Sequence, residues 1–290
     1  MESKEIKGFF ILILVTFIWG STFSFTKIAL KVFTPFFLLF LRFLFGALFL
    51  FLFLKLKKQR ISVNRSGIIL GLINFSAIAF QTFGLQYTTA TKTAFITGIS
   101  ILLVPFFEKF IFKNKIYWNL WLAVIIGFIG LIFLTTDFSV VSKINWGDFL
   151  VFICAVLYAL QIVYISYVVE HREVFDLAFS EILFTAIFSF LFFLFFEPRN
   201  LPLYFIFQNS LPIVYLGVVA TAFTLTLQLI GQKYVPPTKS ALIYNLEPVF
   251  ATLFAFILLS EKLTHLQIIG ALLILMSLFI SIPSSFQNKS

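Results

Sequence analysis

The residues with chemistry to offer lie inside apolar runs. Glu247 is a carboxylate flanked by Tyr244, Asn245 and Pro248 in a stretch otherwise rich in Leu, Ile, Val, Phe and Ala. Elsewhere, hydrogen-bonding or small side chains recur three, four or seven residues apart, the spacing that keeps them on one helix face. These stripes are Trp19, Thr22 and Thr26; Asn74, Gln81 and Gly84; Thr93, Thr97 and Ser100; Tyr158 and Gln161; Thr221, Thr224 and Gln228; and Tyr244, Glu247 and Ala251. Such groups can hold a small polar ligand or a proton. Catalysis asks for more: a nucleophile with a base, or a set of metal ligands. The chain has no Gly-x-Ser-x-Gly, no His/Glu helix motif and two isolated histidines, His171 and His265. Its one cysteine, Cys154, excludes an intrachain disulfide and a cysteine metal cluster. No catalytic residue, metal or cofactor is expected. The absence of a phosphate-binding loop excludes self-contained ATP-driven transport, and no repeated filter sequence marks a channel.

The elements that carry these stripes are set by composition. The chain is 61% hydrophobic and 11% charged, with a mean hydropathy of +1.06. A soluble domain carries about a quarter charged residues, so the solvent for most of this surface is lipid. A helix crossing a hydrocarbon core of about 30 Å needs roughly 20 mostly apolar residues. Ten such spans are expected, at 8–28, 35–54, 67–86, 92–112, 118–135, 147–168, 175–196, 211–231, 239–259 and 265–282. The runs are continuously apolar and do not alternate, which argues against a β-barrel. The run from Phe9 has no small-residue cleavage site before the next span and reads as a mature helix rather than a signal peptide.

Charge gives the orientation. A formal charge of +9 need not mean nucleic acid, and none is expected, because Lys and Arg of membrane proteins gather in cytoplasmic loops. With the N-terminus inside, fourteen cations fall on the inner side, led by Lys55, Lys57, Lys58, Arg60 and Arg65. Six fall outside: Lys27, Lys31, Lys92, Lys143, Arg199 and Lys262. Both termini are therefore expected in the cytoplasm.

The chain repeats itself. Gln81–Ile96 (QTFGLQYTTATKTAFI) returns as Gln228–Ile243 (QLIGQKYVPPTKSALI) at an offset of 147, with seven of sixteen positions identical. At an offset of 139, Gly8 falls on Gly147, Trp19 on Tyr158 and Arg42 on Glu181. The growth of eight residues places an insertion in the Glu197–Ser210 loop. Five spans per half is odd, so the halves cross in opposite senses. The expected architecture is an all-α integral membrane protein with ten transmembrane helices in an inverted 5+5 repeat, residues 1–139 and 140–290. Inverted repeats are typical of secondary transporters, with the substrate site near the midplane between the halves.

The stripes place spans one, three, four, six, eight and nine around a hydrated cavity. Spans five and ten, almost wholly apolar, lie outside it and offer a subunit contact; monomer and homodimer both stay open. A single Ser or Thr is more simply a cross-helix hydrogen bond, worth about 1 kcal/mol or less. Matching stripes on repeat-equivalent helices are better explained by a cavity. The expected substrate-binding set is Trp19, Thr22, Gln81, Thr97, Ser100, Tyr158, Gln161, Gln228, Tyr244, Asn245 and Glu247. Glu247 lies about 12 Å deep at 1.5 Å per residue. Its two readings, a substrate or proton site and a structural carboxylate, stand level. Pro248 frees a carbonyl near Tyr244, and Pro105 interrupts span four at a non-equivalent position. Arg42 and Glu181 are read as cavity-mouth or helix-contact charges. Lys27, Glu108, Glu261, Lys92 and Lys239 are read as snorkelling at span ends.

The chain resembles the ten-helix drug/metabolite transporter superfamily, in particular its EamA-type members. The resemblance runs over essentially the full length. It rests on FIWGSTFSFTKIAL at 17–30, GDFLVFICAVLYAL at 147–160, and YVPPTKSALIYNLEPVFATLFAFILLSEKLTHLQIIGALLIL at 234–275, with its Leu-Glu-Pro and Glu-Lys-Leu. The first half departs from this pattern: Ile99-Ser100-Ile101 replaces Leu-Glu-Pro, and Asn114-Lys115 replaces Glu-Lys. Any polar site is therefore expected to be asymmetric. The resemblance implies movement of small organic metabolites, often amino acids, mostly outward across a bacterial inner membrane. The function expected is a secondary transporter working by alternating access in the lipid bilayer, with a small-molecule substrate and protons as the candidate coupling ion. A passive facilitator or channel, and an intramembrane enzyme, are the competing classes.

Overall fold

A computed structural model of the chain describes residues 3–113, 115–135, 145–197, 210–259 and 264–281. The sequence expectations for Asn114, Lys143, Arg199, Glu261, Lys262, Lys289 and most of the Glu197–Ser210 insertion lie outside the described residues. Within them the protein is helical, with no strand. In order, the elements are α1 (Ser3–Ala29), α2 (Pro35–Leu56), α3 (Arg65–Tyr87), α4 (Ala90–Gly98), α5 (Ser100–Phe112), α6 (Trp118–Thr135), α7 (Trp146–Val168) and α8 (Val174–Phe196). Then follow α9 (Ser210–Val214), a π-helical stretch (Tyr215–Phe223), α10 (Thr224–Gln232), α11 (Pro237–Tyr244), α12 (Glu247–Leu259) and α13 (His265–Ser281). Eight segments are long and apolar enough to cross a membrane: α1, α2, α3, α6, α7, α8, and the composite runs Lys92–Phe112 and Leu211–Gln232. Helix α13 is apolar but shorter, at 17 residues.

Helix starts follow local chemistry. Asn64 and Thr89 accept hydrogen bonds from the backbone N–H of Gly67 and Lys92, respectively, at the starts of α3 and α4. Asn145 and Asp148 form a reciprocal capping box at α7. Pro35 and Pro237 open α2 and α11, where a missing N–H costs nothing.

Close helix contacts use glycine and recur at the offsets of the sequence repeat. A Cβ on Gly84 would lie 2.8 Å from Gly147 O, and one on Gly8 would lie 3.0 Å from Gly231 O. Offsets of 139 and 147 convert one pair into the other. Gly71 and Gly217 have matching surroundings. A Cβ on Gly71 would meet Phe184 Cβ, Glu181 O and Thr185 N at 2.8, 2.9 and 3.3 Å; on Gly217 it would meet Phe45 Cβ, Arg42 O and Gly46 N at 2.7, 2.8 and 3.3 Å. Those neighbours differ by 139, but the glycines differ by 146, not 147. The π-helical stretch Tyr215–Phe223, which contains Gly217, is where the register changes.

Two further expectations change. Span four breaks at Ile99, not at Pro105, which sits inside α5. Span nine breaks between α11 and α12, at Asn245–Leu246. Pro248 is the second residue of the new helix, a position that needs no N–H donor. The two breaks fall at repeat-equivalent positions, so Ser100 and Glu247 each open the second half of a broken helix.

Candidate functional site

The two breaks meet a central cavity. Its volume is about 90 Å³. Helix α1 supplies Trp19, Thr22, Phe23 and Thr26; α3 supplies Asn74, Ile78, Gln81, Thr82 and Leu85; α7 supplies Tyr158, Gln161 and Ile162. Thr97 and Ser100 come from the two sides of the first break, Tyr244 and Glu247 from the two sides of the second, and Leu225 and Gln228 from α10. Ten of the residues singled out by sequence thus face one space. Asn245 is not among the lining residues: its Nδ2 donates to Gly127 O at 3.0 Å. Spans five and ten, α6 and α13, contribute no lining residue and pack on each other through Gly130 and Gly270.

Span two joins the ring, which the stripe argument had left out. Arg42 and Phe43 of α2 line the cavity. Arg42 is buried, and its Nε donates to Thr221 Oγ1 at 2.8 Å while Nη2 donates to Ala220 O at 3.3 Å. It lines the wall and makes a helix contact to the π-helical stretch, the second of the two readings from sequence. A lone cation between Leu41 and Phe43 breaks no period, so its reach toward the π-helical stretch left no trace in the sequence. Glu181 is fully buried behind Gln161, whose Nε2 donates to its Oε1 at 2.7 Å. Among the described residues Arg42 forms no ion pair with Glu181 or with Glu247.

The remaining wall groups are held by neighbours. Trp19 Nε1 donates to Thr224 Oγ1 at 3.1 Å, and its ring tilts against Tyr244 with centroids 5.6 Å apart. Gln81 Nε2 donates to Thr97 Oγ1 at 3.1 Å, and Asn74 Nδ2 to Thr185 Oγ1 at 3.2 Å. Tyr244 OH donates to Gln232 Oε1 at 3.2 Å. Gln228 Oε1 is buried and finds no hydrogen-bond partner among the described residues. The arrangement offers aromatic faces, amide and hydroxyl donors, one guanidinium and one carboxylate. That suits a small organic ligand with polar groups and an apolar part.

Beyond the cavity, charges expected to snorkel are instead engaged. Glu108 is buried and accepts from the backbone N–H of Thr238 at 3.0 Å and from its hydroxyl, so it caps α11. Lys27 donates to the Leu85 and Thr88 carbonyls at the end of α3. Lys92 pairs with Asp148, and Lys239 pairs with Glu5 at 2.9 Å. Each is a helix-end charge that found a backbone or an opposite charge before it reached the headgroups. Glu5, Lys239 and Glu108 also border a wider vestibule of about 930 Å³ with Lys115, Tyr167 and His171.

Comparison with known proteins gives one consistent picture. A model of the EamA-like transporter family matches residues 6–136 and 145–282. An uncharacterized transporter of Archaeoglobus fulgidus is 34% identical over 274 residues, covering 93% of this chain and 83% of the relative. The uncharacterized transporter YoaV of Bacillus subtilis is 23% identical over 277 residues, covering 93% of this chain and 94% of the relative. A crystal structure at 18% identity superimposes with a TM-score of 0.82 over 98% of this chain and 99% of its own; at that identity the likeness shows the fold alone.

Proposed function

The chain belongs to the EamA-like transporter family, and on that premise we propose that it is a secondary transporter moving a small organic metabolite, an amino acid or a similar compound, by alternating access. The reading includes ten membrane crossings in an inverted 5+5 repeat, with α4–α5 as the fourth, α11–α12 as the ninth and α13 as the tenth. Both termini lie in the cytoplasm, the membrane is the inner one, and the direction is export. The observation that carries it is the central cavity, walled by helices from both halves and entered by both helix breaks. The glycine contacts that recur with the halves exchanged support the repeat. Such a repeat gives two near-equivalent states, open to either face, at little cost in strain.

Arg42 and Glu247 are opposite charges lining the same cavity that, among the described residues, form no ion pair with each other. Leaving them separate inside a membrane is unfavourable, and a cargo bearing both a carboxylate and an ammonium satisfies both. Trp19, Tyr158 and Tyr244 then supply the apolar face. Gln81, Gln161, Gln228, Thr22, Thr97 and Ser100 supply hydrogen bonds, and Asn245 positions the second break. Protons are the proposed coupling ion, with Glu247 as their binding group. The test is counterflow in proteoliposomes holding the purified chain, across a panel of amino acids, amines and organic acids. Transient accumulation of a labelled amino acid is expected. A folded protein that moves no member of the panel would reject the reading.

A further inference from the structure

The two ends of the broken helices that lie away from the breaks are tied down in the same way. On α4, a half-helix of nine residues, Lys92 is bound to Asp148 at the start of α7. On α11, a half-helix of eight residues, Lys239 is bound to Glu5 at the start of α1. Lys92 and Lys239 are separated by the offset of 147. Asp148 maps at 139 onto Phe9, one helical turn from Glu5 on the same face. The two ion pairs are therefore one contact made twice with the halves exchanged, and in each case it joins one half to the other. Five membrane-crossing segments separate Glu5 from Asp148. An odd number of crossings puts the two pairs at opposite faces of the membrane.

Each half-helix carries a cavity residue at its far end. Thr97 lies near the end of α4, just before the break at Ile99, and Tyr244 ends α11, just before the break at Asn245–Leu246. An ion pair at one end, a hinge at the other and a cargo contact beside the hinge make a lever. We propose that α4 and α11 are the two gates of the transporter, latched by Lys92–Asp148 at one face and by Lys239–Glu5 at the other, and that transport releases the latches alternately. This rests on the transporter reading above and adds which residues gate it.

The latches are shielded enough to matter. Side-chain exposures are 16% and 6% for Lys92 and Asp148, and 11% and 16% for Lys239 and Glu5. Asp148 is further fixed by Thr88 Oγ1 at 2.9 Å and by the backbone N–H of Asn145 at 2.9 Å. Among the described residues Glu5 has no such capping contact, and its side of the protein already holds the wider vestibule. The latch at the Glu5 face is accordingly the one expected to open first.

The test reads access and needs no cargo. Thr22→Cys is placed in the full chain with Cys154→Ala, reconstituted in vesicles and exposed to a membrane-impermeant maleimide from one face at a time. Asp148→Asn should speed labelling from the Asp148 face by about fivefold or more, the factor that losing roughly 1 kcal/mol of closure gives. Glu5→Gln should do so from the opposite face. If Asp148→Asn fails to reconstitute, Lys92→Gln reads the same latch. Asp148→Glu, which keeps the charge and the acceptors for Thr88 and Asn145, should hold labelling near the parent rate, so that the acceleration in Asp148→Asn is assigned to the lost charge. Unchanged rates in both Asp148→Asn and Glu5→Gln, or acceleration at the same face by both, would overturn the latches. Counterflow without any latch response rejects the latches alone; a latch response without counterflow of any cargo rejects the transporter reading.

Discussion

Arg42 reaches Thr221 because the backbone at Thr221 is π-helical. Its Nε donates to Thr221 Oγ1 at 2.8 Å, and the same hydroxyl donates back to Leu216 O, five residues earlier, at 2.8 Å. An α-helix would offer the carbonyl four residues back instead. The extra residue in Tyr215–Phe223 turns Thr221 toward α2 and gives the guanidinium a fixed acceptor in the wall. Such bulges often accompany functional positions. No π-helical stretch interrupts α3, which carries the repeat-equivalent sequence.

That contact predicts the outcome of changing either partner. Thr221→Val keeps the volume but removes the acceptor, leaving a buried donor unsatisfied at a cost of about 1–3 kcal/mol. Thermal unfolding in detergent should fall measurably. Arg42→Lys should also weaken cargo binding, because a single ammonium cannot reach Thr221 and face the cavity together. Unchanged stability in Thr221→Val would show that Arg42 is held by other groups.

A second prediction concerns close packing. A Cβ on Gly84 would lie 2.5 Å from Val151 Cγ2 and 2.8 Å from Gly147 O. Backbone cannot yield as a side-chain tip can, so Gly84→Ala should destabilise by about 1–3 kcal/mol. Gly8→Ala, where the nearest atoms are at 3.0 Å, should cost less. Melting temperatures of the two purified variants check the order; the reverse order would contradict the packing account.

Glu108 supplies a third. It accepts two hydrogen bonds from Thr238, one from the backbone at the start of α11. Glu108→Ala should cost about 1–2 kcal/mol as the loss of a helix cap. Thr238→Ala should cost less, because the backbone bond survives. A double variant should then cost less than the sum, as groups in one network do not add. Additive losses would mean that the pair is not coupled.

Much of this architecture is legible in the sequence, for physical reasons. Lipid demands continuous apolar runs, so the helices announce themselves. Polar residues on those runs are costly and therefore few, so the stripes of Trp19, Gln81, Tyr158 and Gln228 stand out and face one cavity. Features that depend on one backbone hydrogen bond were not legible. The break at Ile99 has no proline to mark it, and the π-helical residue looks like any other apolar position. Charges at helix ends were misread for a related reason. Lys27, Lys92 and Glu108 sit where snorkelling is usual, and only the approach of the end of α3, of α7 and of α11, respectively, supplies their partners.

The carboxylate at the second break has a separable role. Glu247→Gln keeps the shape of the wall but can neither bind a cation by charge nor exchange a proton. If Glu247 couples protons as well as facing the cargo's ammonium, the variant should lose proton-driven accumulation while cargo exchange survives at weakened affinity. Loss of both would assign it to cargo binding alone. Unchanged accumulation and unchanged pH dependence would remove it from the mechanism.

The central claim is that cargo passes through the cavity between the two helix breaks. The most direct measurement is counterflow before and after that cavity is plugged. Ser100→Cys with Cys154→Ala puts the one thiol of the chain on the cavity wall, where a bulky maleimide fills the space. Complete modification should abolish counterflow of the amino acid that the unmodified vesicles carry. The same reagent should leave the Cys154→Ala protein unaffected. Counterflow that persists after complete modification of Ser100→Cys would contradict the account.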